Sequence, residues 1–388
     1  MQPTTPRRAI SASALILLLL LASLGPSEGA ERAPQFVPKI VKTKKIAPGL
    51  RFTKIVEKKI PRRTFVLTVD LTKAITLDTT LGKATLPSNR ALSKIVKRAG
   101  ALAGVNGDFG SGKPIHPFAQ DGQLVNTSAQ LGALFAVTQD EGQIHFGRPT
   151  MEVTVTDMAD DRVFRLDAWN DGDPAPGELV GFSPVGGTLE APPANACSVH
   201  LAPVSGPTPA KGDGVDQDFT VDIATCSQAP LTRDGGVVLS AAPSTDEATL
   251  LLALEPGTPM RLHWTFGWAN VLDAVGGVPM LLRDDVILNE CTSACGSVPR
   301  TGVGVTANGR ILLVVVDGRQ PKWSVGPTVT EFARIMKDLG AVTALNLDGG
   351  GSSTMVVDGK VVNRPSDRRE RAVSNAIVIL PGPDPGEA

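Results

Sequence analysis

The chain of 388 residues has no tyrosine, only 4 histidines, and aromatic residues at 4% of the total. No step can therefore use a phenol, and histidine-based acid–base or metal chemistry has few places to sit. Neither sign of charge is in excess: 38 Lys and Arg face 39 Asp and Glu, a formal net charge of −1. This balance excludes a globally basic nucleic-acid binder. No apolar run reaches the roughly 20 positions that a membrane-spanning helix needs. Cysteine is scarce as well, with Cys197, Cys226, Cys291 and Cys295 as the full set. Neither sequence-adjacent pair has CxxC spacing and no HxxxH accompanies them, which argues against zinc.

Hydrophobic residues, at 42% against 20% charged, suffice for a buried core. The length allows two domains or one large one with insertions. Residues 1–30 read as a signal peptide: Arg7 and Arg8, then the unbroken apolar run Ala14–Ala22, then the small residues Ser27, Gly29 and Ala30. Whether it is cleaved stays open, with an uncleaved anchor as the alternative. Either way the protein is expected to be secreted or associated with the cell envelope. Outside the cytosol an even cysteine count suggests two disulfides, and proximity favours Cys197–Cys226 and Cys291–Cys295. Residues 31–63 carry eleven Lys or Arg against Glu31 and Glu57. They read as a solvated basic arm that begins pairing near Phe52 to Val56, or as an attachment to an anionic wall or membrane surface.

From Phe65 the pattern is mostly strand. Phe65–Leu71 and Ala74–Thr80 alternate with period two, and Gly235–Ala241, Thr249–Leu254 and Ile311–Val316 add further strand signals. A helix is expected where Leu92, Ile95, Val96 and Ala99 share a face, with Ser88 as cap and Gly100 as stop. A second begins at Thr328, which has capping-box spacing to Glu331, buries Phe332, Ile335, Met336 and Leu339, and ends at Gly340. Asp121-Gly122, Asn308-Gly309 and Asp358-Gly359 mark hairpin turns, since these residues accept positive φ. Residues 151–235 read as short strands with long surface loops stapled by Cys197 and Cys226. Their acidic start leaves a hard cation such as calcium as an option, without the spacing of a known calcium loop. The reading is an α+β fold of mixed or antiparallel sheets with few helices. It places one catalytic domain over residues 64–380, with a loop-rich insertion and a tail at 381–388.

Four segments carry candidate chemistry. In Val342–Asn363, Asp348 ends a buried strand and Gly349, Gly350, Gly351 and Ser352 follow. Such a loop brings backbone amides close to an anion. It lacks the GK[ST] of a Walker loop. In Asn363–Leu380, Ser366, Asp367, Glu370 and Arg371 precede the last strand. Asn106 and Asp108 sit in GVNGDFG, and Arg300 opens the glycine-punctuated PRTGVGV. His116 lies near this set and is a candidate substrate ligand. His145, His200 and His263 read as structural. Ser240 lacks a nucleophile elbow and reads as a strand-end residue. Trp264, Phe266 and Trp268 have core spacing.

In chain order, NGDF (106–109), DGGVVLSA (234–241), AVGGVPMLLRDD (274–285), RTGVGV (300–305), VVVDGR (314–319), NLDGGGSSTM (346–355) and RPSDRRERAVSNAI (364–377) resemble the phosphodiester glycosidases. The resemblance spans roughly residues 95–380 and is densest after 274. Gly110 replaces a usual second aromatic, Ala372 a common proline, and 113–119 carries His116 in place of a glycine. These departures bear on one pocket wall and on the identity of the substrate.

The resemblance implies hydrolysis between a sugar C1 and a phosphodiester oxygen in a glycoconjugate or envelope polysaccharide. Asp348, Asp367 and Glu370 are then the candidate catalytic carboxyls. Arg300 and Arg371, with the amides of Gly349–Ser352, are the candidate phosphate ligands, and Asn106 and Asp108 the sugar ligands. No cofactor is implied, and a metal requirement is left open. Two other classes stay in view: a catalytically silent carbohydrate-binding or envelope protein on the same fold, and a metal-dependent phosphodiesterase.

Overall fold

The computed structural model describes residues 39–57, 59–127, 132–138, 143–205, 216–226, 235–288 and 295–382. The signal peptide, Cys291 and most of the tail lie outside the described residues. Among the described residues no helix is long and apolar enough to cross a membrane. Strands make up nearly half of the described chain, richer than an α+β reading implies, and three α-helices are present: α1 (Leu92–Ala99), α2 (Asp246–Leu252) and α3 (Val329–Asp338).

One eight-stranded sheet runs in the order 39–47, 50–57, 62–69, 311–316, 300–306, 341–346, 280–283 and 286–287. Its neighbours are antiparallel throughout. The basic segment is therefore sheet from Lys39 onward, not a solvated arm that starts pairing at Phe52. Leu50 and Phe52 enter the core from one side of its second strand and Ile55 is buried on the other, while Lys42, Lys44 and Lys45 of its first strand are exposed. Lysine on an edge strand also blocks edge-to-edge association.

Two five-stranded sheets cover this one, in the orders 360–361, 355–357, 103–106, 375–381, 75–81 and 144–147, 133–138, 271–277, 118–120, 123–126. Strand Ile75–Leu81 shows why it forms: Ile75, Leu77, Thr79 and Leu81 point inward and the residues between them do not. Where the three sheets meet, Phe65, Leu313, Leu345, Phe118, Phe135, Met355 and Ile377 share one core.

The region read as loop-rich, 151–235, instead supplies most of a second eight-stranded sheet, completed by 237–241 and 259–265. It has its own core around Trp169, Phe219, Leu239, Trp264 and Phe266. Cys197 and Cys226 are bridged at the open end of the hairpin formed by 197–203 and 217–225. Cys295 is also in a disulfide.

The hairpin turns form where expected. Asp121 and Gly122 have φ of 49° and 71°, Asp358 and Gly359 48° and 70°, and Gly309 75°. Helix α3 carries the full capping box, Glu331 N donating to Thr328 Oγ1 at 3.2 Å and Thr328 N donating to Glu331 Oε2 at 2.8 Å. Helix α2 replaces the strand expected at Thr249–Leu254. Thr245 caps it, accepting from Ala248 N, and Asp246 and Glu247 sit in its first turn. Helix α1 is where expected, but Ser88 does not cap it. Ser88 donates to Ser374 O instead, and Ala91 at the cap position has no capping side chain.

Candidate active site

Register brings the candidate residues together. Arg300 pairs with Val316, and Gly302 with Asn346, across adjacent antiparallel strands. The start of 300–306, the exit of 311–316 and the exit of 341–346 therefore share one edge of the sheet. Onto this edge the covering sheet brings Asn106 and the loop after it. The result is a cleft of about 270 Å³ whose lining includes Asp348, Arg300, Arg319, Arg371, Phe109 and Asn346.

The Asp348 backbone is fixed from the opposite sheet. Asn106 Nδ2 donates to Asp348 O at 2.7 Å, and Asp348 N donates to Gly107 O at 3.0 Å. Asn106 Oδ1 accepts from Thr301 Oγ1 at 2.8 Å and Thr354 N at 3.1 Å. Asn106 is fully buried. It positions the loop and is not free to bind a sugar hydroxyl.

The three glycines follow from what packs on them. Gly350 has φ +62°, and a Cβ there would stand 3.2 Å from the guanidinium of Arg319. A Cβ on Gly351 would overlap both Arg371 Nη2 and Asp367 Oδ2. The amides do less than expected for an anion: Gly350 N donates to Pro299 O, and Ser352 N to Gly349 O. Positive charge at the cleft comes from side chains instead.

Burial raises the Asp348 carboxyl to about 6, and the charge of Asp108 adds to that rise. The Ser352 hydroxyl, the Gly349 amide and the charge of Arg371 pull in the other direction. Arg300 is pushed down to about 10 by burial and by neighbouring Arg319. Arg371 holds Asp367, its Nη2 at 2.8 Å and Nε at 3.0 Å from Oδ2.

Glu370 points elsewhere. Its carboxylate accepts from Ser93 N at 2.7 Å and Ser93 Oγ at 2.6 Å, closing the N-terminus of α1 in the place expected for Ser88. Asp108 is enclosed, its side chain 0% exposed, with Oδ1 2.6 Å from His116 Nδ1 and Oδ2 accepting from His116 N at 2.8 Å. Its carboxyl is raised by burial against these contacts. Neither Asp108 nor His116 can touch a sugar in the cleft. They brace Phe109, whose ring meets His116 edge-on at 6.3 Å.

Arg319 was not among the sequence candidates. The available signal was the DGR that ends VVVDGR, which reads as an ordinary turn. Asp317 in the same motif is buried and accepts from Trp323 Nε1, Asn363 Nδ2 and Arg364 N at 2.8–3.1 Å. It thereby ties the Arg319 loop to the segment bearing Asp367 and Arg371. Ser240 lies away from the cleft, 2.7 Å from Ser198 Oγ in the second large sheet. His200 and His263 pair with Asp222 and Asp216, and His145 stacks on Trp268. Among the described residues no three of His, Cys, Asp and Glu converge as metal ligands.

A stretch of 81 residues is 38% identical to the SPbeta prophage-derived uncharacterized protein YomE of Bacillus subtilis. One of 87 residues is 38% identical to the N-acetylglucosamine-1-phosphodiester alpha-N-acetylglucosaminidase of Mus musculus. Each covers 21% of this chain, and they span 12% and 16% of those relatives. The fold is shared with the crystal structure of a hypothetical protein from Synechocystis, at a TM-score of 0.68 and 19% identity, over 88% of this chain and 64% of that one. Residues 212–380, which supply Arg300, Arg319, Asp348 and Arg371, match the phosphodiester glycosidase family, and it is this family that the chain resembles.

Proposed function

We propose that the chain hydrolyses the bond between a sugar C1 and a phosphodiester oxygen, with Asp348 as the reacting carboxylate. The observation that carries this reading is the composition of the cleft: one carboxylate, Asp348, among three arginines, Arg300, Arg319 and Arg371. Guanidiniums suit a phosphate through charge-assisted hydrogen bonds; of these, Arg371 also holds Asp367, and Arg300 also donates to Pro327 O at 3.4 Å and Gly296 O at 2.8 Å. The family match and the printed activity of the mouse relative support the same linkage.

The leaving group of this reaction is a phosphate monoester, whose second pKa is about 6. It departs without the strong protonation that an alkoxide needs, so a second carboxyl acting as acid is dispensable. That agrees with the commitments of Asp367 to Arg371 and of Glu370 to α1. The arginines offset charge that builds on the departing phosphate. Asp348, ionised above about pH 6, stabilises the oxocarbenium-like sugar as nucleophile or as base for water. The apolar run after Arg7 and Arg8, together with the Cys197–Cys226 bridge, supports action outside the cytosol on an envelope or exported glycan.

The test is release of sugar from a fluorogenic glycosyl phosphodiester in ¹⁸O-labelled water. Label in the sugar is expected. Label in the phosphate would replace this reading with a phosphodiesterase, and binding without turnover would replace it with a silent carbohydrate-binding protein.

A further inference from the structure

Adjacent arginines on strand 62–69 have opposite surroundings. Arg62 faces two carboxylates, Glu331 at 3.0 Å and Glu57 at 3.4 Å. Arg63 makes no ion pair among the described residues, and the carboxylate whose charge it feels is the buried Asp317. Its guanidinium lies 3.5 Å from the ring centroid of Trp323 and donates to Trp323 O. Two more cations share that ring, Arg364 at 5.4 Å and Lys54 at 5.6 Å. Neither has an ion-pair partner among the described residues.

An indole face attracts cations but does not neutralise them. The nearby carboxylate, Asp317, is buried and accepts from three neutral donors, Trp323 Nε1, Asn363 Nδ2 and the Arg364 amide, so three cations face a single carboxylate. The surface therefore carries surplus positive charge. It also adjoins the cleft. Arg319, against Gly350, is followed by Gln320, whose Nε2 donates to Arg364 O at 2.9 Å. Cations thus run from Arg319 in the cleft through Arg364 to Arg63 and Lys54 around Trp323.

We infer that this track holds further phosphates of the substrate, so that the chain acts on a polymer of repeated sugar phosphodiesters rather than on a single one. The inference rests on the proposed hydrolysis for its reacting end and on the track alone for its binding end. A chain of sugar phosphates offers alternating charge and sugar faces, which cations flanking an aromatic ring complement.

The test compares a hexamer of N-acetylglucosamine 1-phosphate with its one-phosphate methyl ester, using the full chain and the Arg364→Gln/Lys54→Gln variant. Calorimetric binding is measured at several salt concentrations and hydrolysis is measured in parallel. The wild type is expected to bind the hexamer at least about tenfold more tightly than the ester. In the variant that ratio falls toward one and the salt dependence flattens. Equal affinity for hexamer and ester in the wild type, or an unchanged ratio in the variant, overturns the track. Tight, track-dependent hexamer binding with no hydrolysis upholds the track and removes the hydrolase reading alone. Thermal melting and far-ultraviolet circular dichroism establish that the variant is folded.

Discussion

Asp348 and Asp273 are both carboxyls pushed upward by burial, yet their surroundings are opposite. Asp348 opens on a cleft that three arginines also line, feels the charge of Arg371, and sits at about 6. Asp273 lies inside strand 271–277, accepts from Thr79 N at 2.8 Å and Thr79 Oγ1 at 2.9 Å, and has Asp78 and Asp121 as its charged neighbours. Burial raises Asp273 well above the ordinary range and the two carboxylates push it further, while Asp78 itself is raised to about 6. A displaced carboxyl is thus no mark of a site. Access and opposite charge are what separate the two.

The largest expected effect comes from neutralising each in turn. Asp348→Asn should lower turnover by about 10³-fold or more, and Asp273→Asn by no more than a few-fold. Stability separates them from a merely structural outcome. A carboxyl raised in the fold favours the protonated form, so its contribution is fullest below about pH 4 and is lost as pH rises through its folded value. Asp348→Asn should therefore be more stable than the wild type above about pH 6, on the order of 1 kcal/mol, with the gain vanishing in acid. Urea melts at pH 4 and pH 8 check this. An active Asp348→Asn would erase the contrast.

Next in size is Arg319→Ala, expected to cost about 10² in kcat/KM, with Arg319→Lys recovering part because it restores charge but not the planar fork. Steady-state kinetics on the fluorogenic diester measure both. Smallest is Glu370→Gln. It weakens the closure of α1 and should cost about 0.5–1 kcal/mol in a urea melt, while turnover falls far less than with Asp348→Asn. A loss of activity as large as that of Asp348→Asn would return Glu370 to the chemistry.

Much of this was legible in the residues, and the failures have physical causes. The three Asx-Gly turns and the capping box of α3 are local devices, so they could be read locally. Helix α2 could not, because its apolar stretch Thr249–Leu254 fits either period and the Thr245 cap decides it. Asp348, Arg300 and Arg371 were found because glycine spacing and the resemblance flagged their segments. Glu370 sits one residue from Arg371, but sequence adjacency does not say that it turns to Ser93. Arg319 was hidden because a lone arginine after Asp-Gly gives no hint that its guanidinium lies on Gly350, 31 positions later. The buried pairing of Asp108 with His116 likewise depends on tertiary enclosure and has no local signature.

Asn106 reaches across from a different sheet to grip the carbonyl of Asp348, and it precedes the family-matched span by more than a hundred positions. A fragment trimmed to residues 212–380 would keep the carboxylate and all three guanidiniums while discarding their clamp and the Phe109 wall. The chemistry is thus not a portable cassette: its parts are concentrated late in the chain, but the frame that aims them is laid down early.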